Sequence, residues 1–177
     1  MSEFFIQAMG FVGLLFFLVS YQIRSNRVLF LFQLLGCIIF SAQMALLGAF
    51  TGALSLLVNI LRNLLLLKIN DWKWVDNKLT LSTVVLLLII ITVYTWAGPI
   101  SLLPFLSGAV SSLGYWTNNA QKIRLSQLFA APCTLIYDIL IGTWGGAATE
   151  AMAILSIVVS IVRFGWRNLG EDEQMQK

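Results

Sequence analysis

The sequence predicts an all-α, polytopic membrane protein with seven transmembrane helices. Hydrophobic residues make up 59% of the 177 residues and charged residues only 11%, whereas a soluble domain averages about half and about a quarter. Lys and Arg fall in alternating gaps between the hydrophobic runs, at residues 24–27, 68–78, 122–124 and 163–177. Only Arg62 lies inside a run, and the gaps near Gly48, Gly98 and Gly142 carry no positive charge. By the positive-inside rule, this alternation predicts an outside N-terminus and a cytoplasmic C-terminus.

Each predicted span is a run of apolar residues, because about 20 of them are needed to cross a bilayer core of about 30 Å. The spans are 4–21, 28–48, 50–69, 79–98, 99–117, 127–142 and 144–164. Tryptophans lie at both ends of the runs, as in the aromatic belts of membrane proteins. Glu3 is the only charge among the first twenty residues, which lack the basic start of a signal peptide and are predicted to remain as a helix.

The fourth span differs from the others and is predicted to be a lipid-facing linker. From Thr83 to Tyr94 its only polar groups are two threonines and a tyrosine, whereas helices that line sites carry small or polar residues. The chain on either side of it repeats, because residues 21–61 align with 115–155 at a shift of 94 and are identical at ten positions. Four helices separate equivalent starting points, an even number, so the two halves run in the same direction.

These features predict one transmembrane domain over residues 1–177, built as a 3+1+3 bundle of parallel repeats. Its parts are a first triple-helix repeat at 1–69, a linker helix at 79–98, a second repeat at 99–164 and a cytoplasmic tail at 165–177.

Several motifs carry a resemblance to a known family. They are Asn59-x-x-Arg62, Trp74, Pro104, and Gly145-Gly146-x-x-x-Glu150 followed by Arg163-Phe164. On these residues the chain resembles, over nearly its whole length, the YgjV family of bacterial inner-membrane proteins. That family is similar to the SWEET sugar transporters, PQ-loop proteins, nicotinamide riboside transporters and the KDEL receptor. The resemblance implies a SWEET-like bundle in the bacterial inner membrane. All three prolines lie in the second half and no Pro-Gln dipeptide is present, so it does not imply sugar or vitamin specificity.

Ionisable residues inside the predicted spans are candidate site residues, because a charge in hydrocarbon is costly. One of them, Arg62, lies about 18 Å along the third span. It belongs to a polar stripe of Thr51, Ser55, Asn59, Arg62 and Asn63. The Arg62 side chain could instead snorkel to the cytoplasmic interface. Asn59 lies one turn deeper and could bind a solute or form a hydrogen bond between helices.

Two acidic residues, Asp138 and Glu150, are predicted about 6 Å and about 9 Å below the outer ends of the sixth and seventh spans. No basic residue lies at the outer ends to pair with them. They could share a proton, attract a cation or be solvated at the interface. Arg62 lies about 10 Å lower than Glu150, so a direct pair needs helix tilt or a chain of waters. The predicted substrate site is Asn59, Arg62, Asp138 and Glu150.

Two residue pairs occupy equivalent positions in the two halves. Gln33 and Gln127 lie near the inner ends of the second and sixth spans and are predicted to form a symmetric gate, with helix–helix hydrogen bonding as the alternative. Tyr21 and Tyr115 are predicted to anchor at the membrane interface.

No cofactor, metal site or enzymatic function is predicted. The chain contains no His, which removes the commonest metal ligand and general base, and a Ser–His or Cys–His nucleophile is impossible. Cys37 and Cys133 lie in apolar runs, which is typical of small packed side chains.

The sequence favours a small-solute transporter that alternates access between two triple-helix bundles. Arg62 suggests an anionic or zwitterionic solute, and the two acids suggest a coupled proton or cation. A non-transporting receptor or adaptor is the alternative. The predicted partners are the lipid bilayer and an unidentified solute, and a homo-oligomer stays open. Nucleic acid is not expected, because the basic residues are strung along one membrane face.

Overall fold

The computed structural model describes residues 3–22, 26–67, 72, 75, 77–117 and 120–168. Within these residues the chain forms seven α-helices, a short 3-10 helix and no strand, which confirms the all-α class. The helices are α1 (Glu3–Gln22), α2 (Asn26–Leu46), α3 (Phe50–Leu67), α4 (Lys78–Tyr94), α5 (Leu102–Trp116), α6 (Ala120–Ile141) and α7 (Trp144–Asn168), with the 3-10 helix at Pro99–Ser101.

The α2–α3 and α6–α7 hairpins have the same turn. Gly48 and Gly142 follow α2 and α6 with φ of 76° and 82°, a backbone conformation that glycine adopts without strain. In each turn the glycine amide donates to the carbonyl three residues back, and the next amide donates to the carbonyl five residues back. This is the Schellman motif. Phe50 and Trp144 then begin α3 and α7, 94 residues apart.

Both hairpins lie at one end of the bundle, which we call the hairpin end. The side chain of Gln7, near the start of α1, donates to the Gly142 carbonyl at 2.7 Å. The Thr51 hydroxyl, at the start of α3, donates to the Thr95 carbonyl just after α4 at 2.8 Å. At the opposite end, the Trp116 indole of α5 donates to a loop carbonyl between α3 and α4 at 3.1 Å. Consecutive helices therefore alternate in direction.

The main packing contacts close six of the helices into a ring. Each of α1, α2 and α3 packs on its neighbour in sequence, as do α5, α6 and α7; α1 also packs on α7, and α3 on α5. Helix α4 lies outside this ring, against α3 and α5. One hydrophobic core cluster joins α2, α3 and α6 at the hairpin end, and it consists of Met44, Ala49, Ala53 and Tyr137.

Helix α4 has the apolar exposed face expected of a lipid-facing linker. Its exposed side chains include Leu86, Ile89, Ile90 and Val93. These positions recur every three or four residues, so they share one helical face. The opposite face buries Val84, Leu88 and Thr92.

By length and composition, one helix of the described residues, Phe50–Leu67, is long and apolar enough to cross a membrane. Five other apolar segments have 10–17 residues, and they are Glu3–Val19, Leu31–Leu46, Lys78–Tyr94, Leu125–Ile141 and Trp144–Val159.

Three helix ends lie four or more residues from the ends of the predicted spans. Helix α6 begins at Ala120 rather than at residue 127, because Lys and Arg interrupt an apolar run but are good helix formers. Helix α4 ends at Tyr94 rather than at 98, since Gly98 has a φ of 102° and precedes Pro99. Helix α7 continues to Asn168. The basic residues at 24, 68, 73 and 177, Trp74, and tail residues 169–177 lie outside the described residues.

Candidate functional site

The polar stripe of α3 is buried, and three of its atoms lack hydrogen-bond partners. Ser55 is 3% exposed and Asn59 is partly exposed. Within the part of the chain that the structure describes, the buried atoms Ser55 Oγ, Asn59 Oδ1 and Arg62 Nε have no hydrogen-bond partner. The hydrogen bond between helices that was the alternative role of Asn59 is therefore not made by its oxygen. An unpaired buried polar group costs about 1–3 kcal/mol, so three on one helical face mark a surface suited to a polar ligand.

Arg62 reaches from α3 to α5 instead of toward an end of the bundle. Its Nη1 atom donates to the hydroxyl of Ser111 at 2.8 Å and to that of Ser112 at 3.3 Å. Its Nη2 atom donates to Asn63 Oδ1 at 3.4 Å. The side chain is only 6% exposed, so snorkelling to the cytoplasmic interface is wrong for this residue.

The two serines are oriented to accept hydrogen bonds from Arg62. The hydroxyls of Ser111 and Ser112 donate to the Gly108 carbonyl at 3.1 Å and 2.7 Å. Because those protons are used within α5, the oxygen lone pairs remain for the guanidinium. A Cβ on Gly108 would stand 2.9 Å from Leu88 Cδ1, so the glycine also allows α4 to pack closely behind the serines.

The Arg62 guanidinium has hydrogen-bond partners, but none of those among the described residues carries a negative charge. Its hydrogen-bond partners are two hydroxyls and an amide, and no carboxylate pairs with it among the residues that the structure describes. A guanidinium has five N–H donors, and the one on Nε is unused. Burying an unpaired ion costs several kcal/mol, so an anionic group at this position would be strongly favoured.

Tyr115 covers one face of the Arg62 guanidinium. The guanidinium carbon lies 4.7 Å from the centre of the Tyr115 ring, a cation–π contact worth about 0.5–2 kcal/mol. A side-chain hydrogen bond links Tyr115 with Gln33 of α2, which is 7% exposed. The prediction of an interfacial anchor missed both of these contacts.

Asp138 is enclosed by its own hairpin. Its side chain is 1% exposed, and its Oδ1 accepts a hydrogen bond from the Thr143 hydroxyl at 2.8 Å. The Asp138 carbonyl accepts the Gly142 and Thr143 amides at 2.9 Å each. A Cβ on Gly146 would stand 2.6 Å from Asp138 Oδ2. Solvation at the interface, one of the alternatives for this residue, is therefore wrong.

Glu150 is partly exposed on α7, and among the described residues it has no hydrogen bond or ion pair. Asp138, Cys37 and Tyr115 lie within electrostatic range of its carboxyl group. Arg62 interacts with the same Cys37 and Tyr115. Arg62 and Glu150 thus share two neighbours without forming an ion pair.

We call Gln33, Cys37, Ser55, Asn59, Arg62, Tyr115 and Glu150 the central cluster. These side chains come from α2, α3, α5 and α7. Helix α2 is adjacent in the ring to neither α5 nor α7, so its contacts with those helices lie inside the ring.

The other half of the predicted gate is not joined to this cluster. Gln127 is partly exposed on α6 and has no hydrogen bond among the described residues. In the repeat, Gln127 and Tyr21 are equivalent to Gln33 and Tyr115, but the side chain of Tyr21 lies outside the described residues. A symmetric gate therefore stays a prediction.

Sequence reasoning missed Gln43, which is fully buried on α2. Neither its Nε2 nor its Oε1 has a hydrogen-bond partner, and a Cβ on Gly10 would stand 2.5 Å from Nε2. Position 43 is equivalent to 137 in the repeat, and Tyr137 is also buried. Polar side chains at both equivalent positions were the available signal.

A ring of helices with apolar side chains on its exterior and a polar cluster in its interior is typical of helical membrane proteins. The chain belongs to the Imp-YgjV family of bacterial inner membrane proteins, whose family model matches residues 4–168. No curated protein and no solved structure matches the chain.

Proposed function

We propose that the chain crosses the bacterial inner membrane seven times, with its N-terminus outside and its C-terminus in the cytoplasm. Family membership supports the location. Side chains such as Leu86, Val93 and Phe129 give the bundle an apolar exterior. The loops of the hairpin end contain no Lys or Arg, which favours placing that end outside.

We further propose that α1–α3 and α5–α7 are parallel repeats joined by α4. Helix ends correspond at a spacing of 94: α1 and α5 end at Gln22 and Trp116, and α2 and α6 begin at Asn26 and Ala120. Contacts between the halves also correspond, because α1 packs on α7 and α5 packs on α3. A pseudo-two-fold axis along the membrane normal would produce this pattern.

The function that this arrangement supports best is transport of a small solute that bears an anionic group. The observation that carries it is the buried Arg62 guanidinium, which has no carboxylate partner among the described residues and whose Nε donor is unused there. Arg62 also bridges the proposed repeats, since it donates from α3 to Ser111 and Ser112 of α5. Parallel-repeat carriers bind their solute at the repeat interface and rock the halves around it.

The other predicted residues have roles within this proposal. Asn59 contributes an unpaired oxygen beside Arg62. Glu150 and Asp138, which lie within electrostatic range of each other, supply acids for a proton or a cationic group. Gln33 and Gln127 form the inner gate.

Uptake into proteoliposomes tests the proposal. Small carboxylates, phosphate and amino acids are supplied singly to vesicles with wild type, Arg62→Ala or Lys78→Ala. Because a hydrogen bond to a charged group contributes about 1.5–3 kcal/mol, Arg62→Ala should lower uptake about tenfold or more. Lys78→Ala is the matched control, since it removes an exposed positive charge at the end of the bundle opposite the hairpin end. Equal uptake by wild type and Arg62→Ala for every solute would overturn the proposal.

The proposal includes no enzymatic step, in keeping with a sequence that has no His. It is compatible with a homo-oligomer. A stable protein partner that co-purifies with the chain, together with absent uptake, would instead favour a receptor or adaptor.

A further inference from the structure

We infer that the solute is a zwitterion, whose carboxylate binds Arg62 and whose ammonium group binds Glu150. The inference deepens the proposed transport function and rests on it. It begins from the basic and the acidic side chain of the central cluster, Arg62 and Glu150, which do not pair with each other. Among the described residues, Arg62 has only neutral hydrogen-bond partners, and Glu150 has no hydrogen bond or ion pair.

Charge balance separates the classes of solute. A simple anion would neutralise Arg62 but would add negative charge to a cluster that already holds Glu150. A simple cation would neutralise Glu150 and leave the guanidinium unpaired. A zwitterion satisfies both groups and adds no net charge, which matters because unpaired charges are most costly in a buried site.

The depths of the two groups agree with this assignment. Helices α3 and α7 both begin at the hairpin end, because the Gly52 amide of α3 donates to the Tyr137 hydroxyl near the end of α6. At 1.5 Å per residue, Arg62 lies about 18 Å and Glu150 about 9 Å from the starts of their helices. Two serine hydroxyls hold the guanidinium toward α5, so Arg62 cannot turn to Glu150 without losing them.

Unpaired acceptors lie at and between these depths. Asn59 lies about 13 Å along α3, between the two groups, and Ser55 lies about 8 Å along it, close to the depth of Glu150; neither oxygen has a hydrogen-bond partner among the described residues. An ammonium group has three donors and no acceptor, so Glu150 together with these oxygens suits it. The free Nε donor of Arg62 suits a carboxylate, which accepts from a guanidinium at two oxygens.

Thermal stabilisation of the purified full-length protein in detergent tests the inference by binding alone. The probes are the twenty common amino acids and 4-aminobutanoate, each tested singly. Any probe that binds is compared with its matched acid and matched amine, which for 4-aminobutanoate are butanoate and butylamine. We expect the zwitterion to bind about tenfold or more tightly than either analogue, because each analogue leaves one cluster charge unpaired.

Two variants that each remove one ionisable group give different patterns. Arg62→Gln should weaken the zwitterion and the acid together. Glu150→Gln should weaken the zwitterion about tenfold and leave the acid unchanged or tighter, since it removes a repelling charge. Lys78→Ala should change neither. Should Arg62→Gln fail to fold, the Glu150→Gln comparison still decides, because both probes are measured on one protein.

The outcomes separate this inference from the transport proposal. Equal binding of acid and zwitterion, an equal effect of Glu150→Gln on both, or no binding by any zwitterion would overturn the inference. If one of these three results is obtained and a simple acid is nevertheless taken up into vesicles, the inference is wrong but the transport proposal still holds. Zwitterion binding with the expected variant pattern but no uptake into vesicles would retain the inference as a binding site and overturn transport.

Discussion

The hydroxyl of Tyr137 accepts a hydrogen bond from the backbone amide of Gly52 at 3.0 Å, and this bond joins α6 to the first turn of α3. Amides in a first turn have no partner within their own helix. The Tyr137 ring is 3% exposed, and a Cβ on Gly52 would stand 2.6 Å from its Cε1. Because Gly52 has no side chain, the Tyr137 ring can approach closely enough for its hydroxyl to accept a hydrogen bond from the Gly52 amide.

Tyr137→Phe should lower the free energy of unfolding by about 1–3 kcal/mol, because it leaves the buried Gly52 amide unpaired. Tyr94→Phe is the matched control, since Tyr94 is 88% exposed, and it should change stability by less than about 0.5 kcal/mol. Denaturant titration in mixed micelles measures both. Similar losses in the two variants would show that the Tyr137 hydroxyl contributes nothing specific.

Tyr115→Leu should cost more stability than Tyr115→Phe. The leucine removes the ring that faces Arg62, a contact worth about 0.5–2 kcal/mol, whereas phenylalanine keeps the ring and loses the link to Gln33. A double-mutant cycle with Arg62→Ala isolates the contact. The difference between the two Tyr115 variants should shrink by about 0.5–2 kcal/mol in the Arg62→Ala background, and an unchanged difference there would contradict the assigned contact.

Gly145→Ala should destabilise the bundle where α1 meets α7. A Cβ on Gly145 would stand 2.6 Å from the Gly10 carbonyl oxygen, and backbone cannot move aside as a flexible side chain can. We expect a loss of about 1–3 kcal/mol.

Gly13→Ala is the control for that prediction. The three atoms nearest to its added Cβ all belong to the Phe40 side chain, the closest at 3.1 Å, and alanine gains up to about 1 kcal/mol over glycine in a helix. It should therefore be close to neutral in thermal unfolding. A neutral Gly145→Ala would mean that α1 and α7 are not in backbone contact.

The helices and the polar stripe of α3 could be predicted because both are local patterns: apolar runs, and polar residues recurring on one helical face. The partner of Arg62 could not. Ser111 and Ser112 look like ordinary small residues in an apolar run, and no local signal says which helix faces α3. The same limit applies to Tyr115, whose place near a helix end is equally typical of an interfacial anchor.

Asp138 shows what the sequence prediction did not reach. The gap near Gly142 separates the sixth and seventh predicted spans, but the hydrogen bonds of the turn in that gap were not part of the prediction. A Schellman motif after α6 directs the Thr143 amide to the Asp138 carbonyl, and this brings the threonine hydroxyl beside the carboxylate. The enclosed Asp138 therefore follows from the turn, whereas the neighbours of Glu150 depend on how distant helices pack.

Cysteine labelling tests the proposed sidedness. In a background with Cys37→Ala and Cys133→Ala, a cysteine is placed at Trp96, near the hairpin end, or at Lys78, at the opposite end; both positions are exposed. A membrane-impermeant maleimide should label the Trp96→Cys variant in intact spheroplasts and the Lys78→Cys variant only in inverted vesicles, since positive loops stay inside. Labelling of both from the same side would contradict the topology.

Thr143→Val should lower stability because it removes the only side-chain hydrogen bond that the described residues give to the Asp138 carboxylate. Thr143 is fully buried, so water cannot easily replace the hydroxyl, and we expect a loss of about 1–3 kcal/mol. Thr83→Val is the control: that hydroxyl is exposed and bonds only within α4, to the Leu79 carbonyl at 2.9 Å. A difference of less than about 0.5 kcal/mol between the variants in thermal unfolding would show that the carboxylate is solvated after all.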